Sequence, residues 1–106
     1  MTKAHDAQAN KRRTGNFGQA MTAFPLPTLL LVHGFPMDGS MWSPQTEALR
    51  GTCDVLAPDL RGFGQDRRTI PALMTMEAHA RDLKELLDTR SAERVVLCGL
   101  SMGGYI

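Results

Sequence analysis

Apolar residues along the chain gather into three short segments: the continuous run Leu29 to Val32, Cys53 to Ala57, and Arg94 to Cys98 with Val95, Val96 and Leu97 at its centre. All three predict strands, the first and third buried, because a half-exposed strand would alternate apolar and polar positions. The first run is preceded by Pro25 and Pro27 and stopped by His33-Gly34, the second ends at Pro58-Asp59, and Gly99 closes the third. Between them the period lengthens to that of a helix. Ser40 is placed to cap a helix with Trp42 and Leu49 on one face, Pro44 in its first turn and Gly51 as terminator. Thr75 caps a clearer one, in which Met76, Ala80, Leu83 and Leu87 form an apolar stripe beside Glu77, Arg81, Lys84 and Glu85. Strand, helix, strand, helix, strand predicts an α/β fold: a three-layer parallel sheet with right-handed βαβ crossovers.

Residues 1–27 depart from this pattern. Lys3, Lys11, Arg12 and Arg13 stand there against Asp6 alone, with no apolar period of 2 or 3.6, so a flexible leader is expected before a domain over residues 28–106. A length of 106 residues excludes two independent domains and leaves one small domain or part of a larger one. With 42% hydrophobic and 22% charged residues the chain has the composition of a globular protein. Twelve Lys and Arg against eleven Asp and Glu leave a formal charge of +1, which argues against a nucleic-acid partner. No apolar run approaches the ~20 residues of a membrane span, and no secretory apolar region follows the basic leader, so the expected location is cytoplasmic. Cys53 and Cys98 lack a CxxC spacing and are expected as reduced, buried, small apolar residues; no metal or other cofactor is expected.

The candidate chemistry lies in Gly99-Leu100-Ser101-Met102-Gly103, a G-x-S-x-G followed by Gly104. It falls between a predicted strand and a predicted helix, where a sharp turn lifts a serine side chain out of the carboxyl edge of the sheet. Glycines flank the serine because such a turn packs backbone on backbone. Ser101 is thus the candidate nucleophile, expected at positive φ, and the alternative is a turn whose serine merely caps the helix. Acyl transfer through a serine also needs two N–H donors aimed at the developing oxyanion. The N–H of Met102 supplies one, and the loop opened by His33-Gly34-Phe35-Pro36 can supply the other. His33, at a buried strand end, is expected to hydrogen-bond that loop and shape it rather than act as a base. Arg61, Arg67 and Arg68 read as a solvated loop surface, and His79 as part of the core and surface of its helix.

Leu29-Leu-Leu-Val-His33-Gly-Phe-Pro36, Asp59-Leu-Arg-Gly-Phe-Gly64 and Val95-Val-Leu-Cys-Gly-Leu-Ser101-Met-Gly-Gly104 resemble, in order and spacing, the amino-terminal half of the α/β-hydrolase fold. The resemblance implies a serine nucleophile at Ser101, oxyanion donors at the N–H groups of Phe35 and Met102, and small esters, lactones or related acyl compounds as substrates. The HGFP start is also similar to epoxide hydrolases and haloalkane dehalogenases of that fold, which use an aspartate where this chain has Ser101. In the family, Asp59 and Arg61 correspond to residues that tie down a loop whose turns Gly62 and Gly64 supply. The triad carboxylate and histidine follow the nucleophile in this family, yet His5, His33 and His79 all precede Ser101. With Ile106 five residues beyond it, the sequence reads as cut off after the nucleophile turn. Two functional readings result: part of a serine hydrolase, inactive alone for want of acid and base, or a non-catalytic binding or interaction module built on the hydrolase half-fold. The partners they imply are a small-molecule acyl substrate, and a carboxy-terminal half or a second copy meeting the exposed sheet edges.

Overall fold

The computed structural model describes residues 26–106. The leader expected over residues 1–27 lies outside the described residues as far as residue 25. Three strands form one parallel sheet: β1 (Thr28–Val32), β2 (Asp54–Leu56) and β3 (Val95–Gly99), in the order β2-β1-β3. In register, Thr28 faces Asp54 on one side and Val95 on the other, and Val32 faces Gly99. The second strand is shorter than its apolar run, and the third runs from Val95 to Gly99, which closes the strand as expected and forms the last rung of the ladder opposite Val32.

Alternation along β1 divides the core in two. Leu30 and Val32 point to a cluster with Leu56, Leu60 and Leu83, while Leu31 points the opposite way, to Trp42 and Val55. The first cluster is roofed by α2 (Met76–Thr89), the second by a 3-10 turn (Gly39–Trp42) that runs into α1 (Ser43–Ala48). Helices thus lie on both faces, giving three layers. The first crossover runs from β1 out to β2 and the second from β2 back past β1 to β3, in opposite directions and on opposite faces, so they share one hand. Burial of a leucine as complete as that of Leu30 or Leu60, each 1% exposed, stabilises by roughly 1.5 to 3 kcal/mol.

Four expectations need correction. The first helix is capped by Asp38, not Ser40: the carboxylate accepts from the Ser40 N–H at 2.8 Å and from its hydroxyl at 2.5 Å, which starts the turn two residues earlier and as a 3-10 helix. The third strand is not buried, since Val96 is 60% and Leu97 68% exposed; β3 is an edge strand, and among the described residues nothing covers its outer side. Cys98, on the same strand, is accordingly exposed, while Cys53 is half-buried; both are free thiols. On α2, which Thr75 caps as expected through its hydroxyl at 3.0 Å from the Ala78 N–H, the fully buried positions are His79 and Leu83. Leu83 and Leu87 of the expected stripe do reach the core, but His79 and Leu86 join them in place of Met76 and Ala80, and Ala80 and Leu87 also line an open groove of about 940 Å³ between α2 and β3.

The loop after β2 is held by acids. Asp59 accepts the Gly39 N–H and the Gln65 N–H, each at 2.7 Å, through different carboxylate oxygens. Arg61 makes a paired contact with Asp82 of α2, Nε to Oδ2 at 2.9 Å and Nη2 to Oδ1 at 2.8 Å, and also donates to the Thr69 carbonyl. Gly62 and Gly64 turn at φ 89° and 56°. Both expected ties are present, and the expectation of a merely solvated arginine surface is corrected for Arg61 and for Arg68, which pairs with Asp66 at 2.6 Å and approaches Asp82 at 3.5 Å.

Candidate active site

Between β3 and α3 (Met102–Tyr105) the chain reverses at Ser101, where φ is 52° and ψ is −116°. A positive φ at a residue with a Cβ costs on the order of 1 to 3 kcal/mol and persists only where neighbours over-determine it. Here they do. A Cβ at Gly99 would stand 2.5 Å from the Gly103 carbonyl, and one at Gly103 would overlap the Val32 carbonyl oxygen. The Leu100 N–H donates to that same Val32 carbonyl at 3.1 Å, so the turn is clamped to the end of β1. Ser101 is exposed, and although it occupies the cap position of α3, its side chain makes no capping hydrogen bond. The hydroxyl is therefore not engaged by the helix, contrary to the capping alternative.

The loop after β1 meets this turn. A Cβ at Gly34 would stand 3.0 Å from the Leu100 carbonyl oxygen and 3.5 Å from the Ser101 Cβ, an approach that leaves room for glycine and little else. Phe35 follows directly, joined to Pro36 by a cis peptide. Among the described residues, the N–H groups of Phe35 and Met102 donate to no acceptor, whereas the Met37, Gly103 and Gly104 N–H groups all do. The fold thus brings Gly34, Phe35, Ser101 and Met102 to one edge of the sheet.

His33 is fully buried and both its ring nitrogens are occupied. Nε2 accepts the Leu60 N–H at 2.9 Å, which puts the ring proton on Nδ1, 3.1 Å from the Gly34 carbonyl oxygen. It therefore ties the loop after β1 to the loop after β2, as expected, and has no nitrogen left for Ser101. His79 is 3% exposed, with its ring near Phe63 at 6.4 Å and its Nδ1 without a partner among the described residues. Burial pushes its pKa below the ordinary 6.5, opposed by the charge of Asp82 and supported by those of His33, Arg68 and Arg61. Phe63 was not singled out by the sequence. Its ring packs edge-on to His33 at 5.3 Å and to Phe35 at 5.9 Å, so it joins both histidines to the Ser101 edge. Its signal was an aromatic residue held between the two turn glycines Gly62 and Gly64.

Among the described residues no group of three or more side chains is arranged to hold a metal ion, and no helix is long and apolar enough to cross a membrane. A strand-to-helix serine turn facing a glycine loop on a parallel sheet defines a class of protein, and the comparisons agree with it. A family model for the alpha/beta hydrolase fold matches residues 27–106. Relatives include a fluoroacetate dehalogenase of Burkholderia sp, 37% identical over 82 residues, and a 3-oxoadipate enol-lactonase of Acinetobacter baylyi, 32% identical over 78; each alignment takes in 74% of this chain. Among solved structures, a thermophilic esterase from Thermogutta terrifontis superposes with a TM-score of 0.70 at 50% identity, covering 74% of this chain and 29% of that one. The chain belongs to the α/β-hydrolase fold family, and its three-stranded parallel sheet is an incomplete version of that fold. It spans under a third of the curated relatives it matches, 27% of the dehalogenase and 29% of the lactonase.

Proposed function

We propose that this chain supplies the nucleophile portion of a serine hydrolase acting on small esters, lactones or related acyl compounds. Ser101 attacks the acyl carbon, and the N–H groups of Phe35 and Met102 receive the oxyanion. The single observation that carries this reading is the clamped positive-φ turn at Ser101 beside a loop whose next N–H, like that of Met102, is unused. The similarity to an esterase at 50% identity supports the same chemistry. A serine in place of a carboxylate favours acyl transfer over the displacement of halide that the dehalogenase relative's name implies.

The base is the missing part. His33 is committed at both nitrogens, and among the described residues no hydrogen bond joins His79 to Ser101. The chain alone is therefore catalytically silent in this proposal. Acid and histidine come from polypeptide equivalent to what the relatives carry beyond the matched third, docked along the exposed outer side of β3. A chimera tests it: this chain joined to the part of the Thermogutta terrifontis esterase beyond its matched segment, assayed with an activated short-chain ester. Expected are turnover in the chimera, a loss of at least ~10³-fold in Ser101→Ala, and background rates for the chain alone. A folded chimera whose activity survives Ser101→Ala would remove the nucleophile assignment. The second reading, a non-catalytic interaction module, is favoured only by the exposed apolar edge strand β3 and gains ground if the folded chimera is inert.

A further inference from the structure

Phe35 is a large apolar side chain, 68% exposed, directly after the glycine that touches the Ser101 turn. An exposed phenylalanine is usually mobile. This one is held edge-on by Phe63 at 5.9 Å and 89°, and Phe63 is in turn fixed edge-on against the fully buried His33 at 5.3 Å and 71°. Met37 and Leu100, both about half exposed, belong to the same two loops. The surface beside Ser101 is thus an apolar wall with a fixed ring.

The charges close by are committed elsewhere. The loop that carries Phe63 also carries three arginines, which would be the natural counter-ions for an anionic substrate. Arg61 is used by Asp82 and the Thr69 carbonyl, Arg68 by Asp66 and Asp82, and Arg67 folds back on the carbonyls of Gly64 and Asp66. Both ring nitrogens of His33 are taken, Nε2 by the Leu60 N–H and Nδ1 by the Gly34 carbonyl, so this ring is committed to the loops as well. A carboxylate brought against Phe35 would lose water and find no uncommitted cation on these loops among the described residues.

Resting on the Ser101 reading above, we infer that the site selects an uncharged, apolar acyl group seated against the Phe35 ring and rejects acyl groups that carry a carboxylate. Phe35 then has two separate roles, its N–H toward the oxyanion and its ring toward the acyl chain, and a side-chain substitution removes only the second.

Boronic acids test this without a catalytic base, since boron accepts the serine oxygen directly. The Ser101 Oγ–B bond forms, the hydroxyl proton passes to solvent, and boron becomes tetrahedral and anionic. The 106-residue chain is titrated with phenylboronic acid, its 3- and 4-carboxyl analogues and methylboronic acid, followed by boron-11 NMR. Expected is a tetrahedral signal with phenylboronic acid that disappears in Ser101→Ala, with both carboxyl analogues at least tenfold weaker. Phe35→Ala should cut the preference for phenyl over methyl by about tenfold, and Phe35→Arg should recover the carboxyl analogues. Carboxyl analogues that bind the parent chain as well as phenylboronic acid does, or a phenyl preference unchanged in Phe35→Ala, overturn the inference while the serine assignment stands. A signal that persists in Ser101→Ala, or none with any probe, removes the serine assignment and the inference with it.

Discussion

His79 is the residue at which burial and chemistry conflict most plainly. Its ring is almost wholly covered, one nitrogen has no partner among the described residues, and protonation there would put a charge beside the rings of the core. Because burial lowers its folded pKa below 6.5, the unfolded chain binds the proton first as pH falls. Stability attributable to this ring is therefore undiminished above about pH 6.5, declines below it, and stops declining once the folded pKa is passed. Denaturant melts at pH 7.5 and pH 5.5 should show a loss on acidification that is smaller in His79→Phe, which keeps a ring beside Phe63. Equal losses in the two proteins would mean that another group governs the acid limb. Asp82 acts in the opposite sense to the ring burial, and Arg61, Arg68 and His33 act with it, so the substitution isolates the ring itself.

Among elements, the tie between α2 and the loop after β2 controls whether Phe63 stays in place. Asp82 is held below the usual carboxylate range, chiefly by its hydrogen bonds from Arg61, with Arg68 adding to the effect. A depressed carboxylate stabilises above its unfolded pKa near 3.8 and loses that contribution as pH falls through the folded value. Asp82→Asn should lower Tm by a few degrees at pH 7, and the gap to the parent should close on acidification below about pH 4, as read by circular dichroism melts. A gap that persists at acid pH would point to packing rather than charge. This tie was partly legible beforehand: Arg61 was expected to anchor the loop, but its partner lies 21 residues away on another element, where no local pattern could place it. The three strands, the Thr75 cap and the Ser101 turn were readable because each depends on neighbouring residues in sequence. Asp38 displaced Ser40 as the cap because its carboxylate takes both the N–H and the hydroxyl of Ser40, and only the loop's path brings it there. Phe63 and the buried side of α2 escaped for the same reason as the Asp82 tie. Their roles depend on which surfaces meet after folding.

For the whole molecule, the outer side of β3 dominates. It presents Val96, Leu97 and Cys98 without a charged residue or proline on the strand, and an open groove lined by both apolar and charged side chains lies beside it. An uncharged edge of this kind is a template for pairing with another chain. In the proposal made here its proper occupant is polypeptide that completes the hydrolase fold; in its absence copies of the chain should pair with one another. Sedimentation across a concentration series should detect association that Leu97→Lys suppresses, whereas the chimera should run as a monomer. A monomeric parent chain at all concentrations would show that the edge is protected in some other way.

Clamping of the Ser101 turn has a further consequence. Its contacts run inward, from Gly103 and Leu100 to the carbonyl of Val32 on the central strand, and not outward to the open side of β3. Whatever joins β3 from outside would thus find the serine already aimed. Assembly would bring reactivity to a finished geometry, and the serine's orientation would be inherited from the strand least exposed to change. Surface loops and partners could then be exchanged around Ser101 without its being re-aimed.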